Sequence, residues 1–111
     1  MKDYIVYILF AVVIVFYFIT KFNKSKAASE IIKNGGIVID VRSPQEFKCG
    51  HFDNSINIPL NDLANQVTKI KSYKNGIVVV CASGARSAQA RNILSKNGIS
   101  AYNGRAWKNL N

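Results

Sequence analysis

Two residue types in one short stretch carry the means for nucleophilic chemistry. In "VVVCASGARS", residues 78–87, a cysteine ends an apolar run and an arginine follows it after four intervening residues. Gly84 permits a backbone conformation that other residues resist, so successive N–H groups can turn inward toward one point. The helix expected to begin near Arg86 adds partial positive charge, and Arg86 adds a full one. Each effect favours a thiolate at Cys81 and lowers its pKa. The competing account is an inert core thiol, since free cysteine packs like a small hydrophobe. For Arg86 the competing account is a solvated first-turn residue, and for Ser83 a plain polar turn residue. Cys49, the second cysteine, fits neither a disulfide framework nor a zinc spacing with Cys81. It is read as a spectator in an exposed loop.

A loop of this kind needs a strand to aim it and a helix to charge it. The run "IVVVC", Ile77 to Cys81, has the composition of a strand buried on both faces, as does "IVIDV", Ile37 to Val41. Between them "SPQE" supplies a helix start: Ser43 as N-cap, Pro44 at N1, and Glu46 reaching back to complete a capping box. A short strand is expected over Ser55–Pro59 and an amphipathic helix over Asn61–Ile70. A helix then runs to Lys96, and a last strand over Ser100–Tyr102 precedes a short helix containing Trp107. Strands alternating with helices imply an α/β fold with a mostly parallel central sheet flanked by helices. In such sheets chemistry gathers beyond the carboxyl ends of the strands, where Asp40 and Cys81 both lie.

The first quarter of the chain differs from the rest. From Tyr4 to Thr20 there is no charge, no glycine and no proline. Residues 1–3 form a short flank, 4–20 are expected as one transmembrane helix, 21–25 as a basic linker, and 26–111 as the folded domain, opening with a helix over Lys26–Lys33. A cleaved signal peptide would place Lys26 unfavourably at its cleavage site, so a retained single-pass anchor is the expectation. Lys21, Lys24 and Lys26 beyond the apolar run outweigh Lys2 beside Asp3, which puts the domain in the cytoplasm. The formal net charge is +9. No nucleic-acid motif accompanies it, and aromatics do not interleave with the cations. Anionic headgroups and small anionic substrates are the partners read from it, with no nucleic acid.

The residues also match a family pattern. "VIDVR" (Val38–Arg42), "EFKCGHFDNSINIPL" (Glu46–Leu60), "VVVCASGARS" and the weaker "YNGRAWKNL" (Tyr102–Leu110) occur in order. The chain from about Lys26 to Leu110 resembles the single-domain rhodanese-like sulfurtransferases. The resemblance implies that Cys81 takes a sulfane sulfur from a small anionic donor such as thiosulfate and passes it, as a persulfide, to cyanide or a thiol. It implies Arg86 as the anion-binding group, the backbone N–H groups of Ala82, Ser83, Gly84, Ala85 and Arg86 as the cradle, and no metal or organic cofactor. Asp40, Arg42, Glu46 and His51 are assigned structural work, with Arg42 pairing with Glu46 or Asp40 and His51 fixing the loop after it. Ala82 is small and neutral where many active members carry a larger or basic residue, and Arg105 follows Gly104 where the pattern shows a second glycine.

Two other functions remain open in the sequence. The first is a non-enzymatic, membrane-tethered sulfur-carrier or docking module on the same fold. The second is a cysteine phosphatase or arsenate reductase. Those enzymes place five residues between cysteine and arginine, whereas four separate Cys81 from Arg86, and Ser87 occupies the arginine's place. A smaller loop suits one sulfur atom better than a tetrahedral oxyanion.

Overall fold

The computed structural model describes residues 2–110, and of residues 2 and 20–25 it describes the backbone alone. Four parallel strands form the sheet: β1 (Ile37–Asp40), β2 (Ile56–Asn57), β3 (Ile77–Cys81) and β4 (Tyr102–Ala106), in spatial order β2-β1-β3-β4. Strand β3 is central and wholly buried because both of its faces are apolar. Its alternate side chains enter different cores. Ile77, Val79 and Cys81 pack with Leu63, Ile70, Ala90 and Leu94 on one face; Val78 and Val80 pack with Ala28, Val38 and Leu110 on the other. The first face is covered by α4 (Ala85–Lys96), by α3 (Val67–Lys71) and by a 3₁₀ segment, Leu60–Gln66. The second is covered by the end of α1 (Lys2–Lys33) and by a terminal 3₁₀ helix, Trp107–Leu110.

Several elements depart from their expected bounds. The anticipated helix over Asn61–Ile70 opens as the 3₁₀ segment, because Pro59 precedes it with no side-chain cap and Asn61, Asp62 and Asn65 are weak helix formers. The last strand begins at Tyr102, where Ser100 was expected, because Ile99 is used elsewhere: its N–H closes α4 on the Leu94 carbonyl at 2.9 Å and its side chain is buried. The short helix α2 (Pro44–Lys48) has both bonds of its capping box.

The largest departure is at the N-terminus. Helix α1 is continuous from Lys2 to Lys33, so residues 21–25 are helical and no separate linker or new helix start occurs there. Its last turns dock Ala28, Ile31 and Ile32 on the sheet. From Tyr4 to Ile19 it touches little, and its large apolar side chains are 40–72 % exposed. Among the described residues no helix is long and apolar enough to cross a membrane, so the expected transmembrane helix over 4–20 is not shown. The side chains of Lys2, Lys21 and Lys24, whose charges orient the expected span, lie outside what the structure describes.

Candidate active site

Cys81 ends β3, with its side chain buried in the sheet's first core. The chain then turns through Ala82 and Ser83 to Gly84, whose φ of 114° lets the loop close within one residue of α4. Gly84 is the N-cap of α4 and offers no side-chain acceptor. The first N–H groups of a helix need a partner, and here the sulfur supplies it. Gly84 N–H donates to Cys81 Sγ at 2.9 Å. Burial pushes the Cys81 thiol up, but the Ser87 hydroxyl and the N–H groups of Ser87, Gly84 and Ser83 outweigh it, and the net direction is down. Among the described residues Gly84 supplies the backbone N–H hydrogen-bonded to the sulfur, with Ser83 and Ser87 beside it lowering the thiol; no such bond comes from the N–H of Ala82, Ala85 or Arg86, which the expected cradle included. Ala82 and Ala85 are exposed and neutral.

Ser87 is the residue the sequence reading missed. It is buried, and the Cys81 thiol donates to its Oγ at 3.5 Å. Its own single proton has two acceptors, Asn103 Oδ1 at 2.7 Å and the Gly84 carbonyl at 3.0 Å. Asn103 is oriented by the Arg105 N–H, which donates to the same Oδ1 at 3.0 Å. With that proton turned to Asn103, a lone pair of Ser87 faces the thiol. Once the sulfur is a thiolate, rotation of the hydroxyl lets Ser87 donate to it instead. A signal for Ser87 was present: with Ala90 and Leu94 it lies on the inward face of α4, and a polar group on a buried face needs a partner.

The charged residues sort into two pairs. Asp40, fully buried, accepts from the Arg42 backbone N–H at 3.0 Å, from Nε at 2.9 Å and from a terminal nitrogen at 2.7 Å. The remaining Arg42 donors reach the Gly50 carbonyl at 2.7 Å and the Glu46 carbonyl at 3.3 Å, and its guanidinium lies 5.0 Å from the Trp107 ring centre. Of the two partners offered for Arg42, the structure selects the Asp40 carboxylate. Glu46 instead binds Arg86 through both oxygens, at 2.7 and 3.0 Å. Its carboxyl is lowered to about 2 by Arg86 and by the Ser43 N–H, and Arg86 is raised chiefly by the same contact. The residue expected to bind an anion is therefore engaged with a carboxylate. His51 is exposed, stacks on Phe47 at 3.7 Å, and its Nδ1 meets the Phe47 carbonyl at 2.8 Å, so it fastens the end of α2 and not the loop beyond. Cys49 is exposed and ends α2.

The sequence and the fold are similar to those of known proteins. The family model of the rhodanese-like domain matches residues 24–108. A tRNA sulfurtransferase of Thermoplasma acidophilum is 38 % identical over 71 residues, 64 % of this chain and 14 % of that protein. The thiosulfate sulfurtransferase PspE of Escherichia coli is 39 % identical over 61 residues, 54 % of this chain and 59 % of that one. The chain thus spans less than two thirds of these curated relatives. A solved E. coli rhodanese, determined with anions, superposes with a TM-score of 0.62 at 30 % identity, covering 67 % of this chain and 89 % of its own. With a parallel sheet that ends on a cysteine loop and a helix, and with a family match spanning the loop and both of its flanks, this chain belongs to the rhodanese-like domain family.

Proposed function

We propose that this protein is a sulfurtransferase working through a persulfide on Cys81, and that residues 4–20 hold it at a membrane with the domain on the cytoplasmic side. The observation that carries the chemistry is the Gly84 N–H at 2.9 Å from a sulfur whose thiol is lowered despite burial. The Cys81 thiolate attacks the outer sulfur of a donor such as thiosulfate. A sulfur–sulfur bond forms to Cys81 as the donor's own breaks, and sulfite leaves with the bonding pair. The persulfide anion takes the thiolate's place in the same cradle, so the negative charge stays where N–H groups already point. An acceptor, cyanide or a thiolate, then attacks the terminal sulfur and releases the Cys81 thiolate. Relatives named for sulfur transfer support the same reading.

The membrane reading rests on exposure. A helix bearing large apolar side chains on all sides, none of them buried, has no polar face to keep it in water or flat on an interface. Alkaline extraction of cell membranes is expected to leave the full chain in the pellet; release into the supernatant would contradict the tether. For the chemistry, the full chain in detergent is expected to form thiocyanate from thiosulfate and cyanide, and Cys81→Ser to form none. Turnover surviving in Cys81→Ser would refute the assignment. A second reading, the non-enzymatic carrier or docking module, is favoured by the engagement of Arg86 with Glu46; it expects a Cys81 adduct without turnover.

A further inference from the structure

We propose that Arg105, and not Arg86, is the residue that selects an anionic sulfur donor at this site. The proposal rests on Cys81 being the reacting thiolate and deepens that reading. Both terminal nitrogens of Arg86 are held by Glu46, and residues 82–85 of the loop carry no charge. Arg105 is exposed, and among the described residues it makes no ion pair.

Its backbone places it deliberately. Strand β4 is irregular opposite Val79 and Val80: Val79 pairs with Asn103, Val80 with Arg105, and Gly104 is the extra residue between them. A side chain at Gly104 would meet the Val78 and Val80 methyls at 2.7 and 2.9 Å, so this position can only be glycine-sized. Arg105 follows with φ of 63°, an unfavourable conformation for a long side chain, fixed by its N–H on Asn103 Oδ1. Backbone strain of this kind clusters at functional sites. The result is that the stem of Arg105 lies over Gly84: a β-carbon built on Gly84 would sit 3.4 to 3.7 Å from its Cβ, Cγ and Cα. Gly84 is the residue whose N–H holds the sulfur.

A donor whose outer sulfur meets Cys81 Sγ in line must point its oxyanion end away from the buried strand and toward the rim. A guanidinium on a stem resting on the loop can reach two oxygens of that end with its fork of donors.

The test uses two alkylating reagents of one shape and different charge on the full chain in detergent, with Cys49→Ser removing the other thiol. In both reactions the Cys81 thiolate forms a carbon–sulfur bond as iodide leaves. Arg105→Gln is expected to lower the ratio of iodoacetate to iodoacetamide rates about five-fold, and to raise KM for thiosulfate by a similar factor with kcat little changed. Arg105→Lys should keep most of both. Arg105→Gly, which suits the positive φ, should behave as Arg105→Gln with no loss of folding. An unchanged ratio and an unchanged KM in Arg105→Gln and Arg105→Gly would overturn the proposal. The two readings fail separately. A lowered ratio in a protein that takes no sulfur from thiosulfate sustains Arg105 and sinks the transferase; normal sulfur transfer with an unchanged ratio does the reverse.

Discussion

Arg42 and Arg86 stand a short distance apart in the fold, and each is bound to a carboxylate, yet the two pairs do different work. The Arg42–Asp40 pair has side chains 6 and 0 % exposed, and its other donors close the turn after α2. The Arg86–Glu46 pair has side chains 36 and 38 % exposed and links residues forty positions apart. In the first, each charge depends on the other to remain inside the protein. In the second, water can replace either partner, so the contact steers geometry at the loop while adding little to stability. A buried pair sets the frame beneath the site; an exposed pair adjusts its rim.

Substitutions can break that contrast. The largest expected effect is Asp40→Ala, which leaves a buried guanidinium without its carboxylate and should cost about 3–5 kcal/mol in denaturant unfolding. A cost as small as that of an exposed pair would mean that water reaches Arg42. Ser87→Ala comes next: it should raise the Cys81 thiol pKa and slow its alkylation at neutral pH by about tenfold, the scale of a lost hydrogen bond to a charged group. Stopped-flow alkylation across pH reads both, and an unmoved profile would remove Ser87 from the site. Arg86→Gln should change stability by less than about 1 kcal/mol; a loss comparable to that of Asp40→Ala would erase the distinction between the pairs.

The smallest effect is a pH dependence. The Glu46 carboxyl is lowered from 4.5 to about 2, so the folded state binds fewer protons at this group than the unfolded one. Its contribution is complete above pH 4.5 and disappears as pH falls through about 2. Thermal unfolding of the parent and Glu46→Gln should differ above that range and converge at its acid end. A gap that persists at the acid end would assign the difference to something other than this ionisation.

What could be read from the sequence was what local chemistry decides. The capping box at Ser43 and Glu46 needs only residues three apart, and β3 needs only its run of β-branched side chains. The Cys81 loop followed from Gly84 and a helix start. Contacts between distant segments were not legible in the same way. Glu46 satisfies its own helix start and then holds Arg86, which explains a first-turn cation that would otherwise oppose the α4 dipole. Nothing local announces that second partner. The position of β4 was hidden because its pairing is broken at Gly104, and the same break hid Asn103 and Arg105. At the N-terminus the apolar run was plain, whereas the continuation of one helix into the domain depends on how Ala28 and Ile31 pack on the sheet.

The central claim, that Cys81 accepts a single sulfur into a ready-made cradle, can be measured directly. The full-length Cys49→Ser protein is incubated with thiosulfate, desalted, and its intact mass recorded before and after cyanide. The account predicts one added sulfur that cyanide removes, and none in a Cys81→Ser partner sample. The same adduct on the Cys81→Ser chain, or no adduct on the parent from thiosulfate or any other sulfane donor, would contradict it.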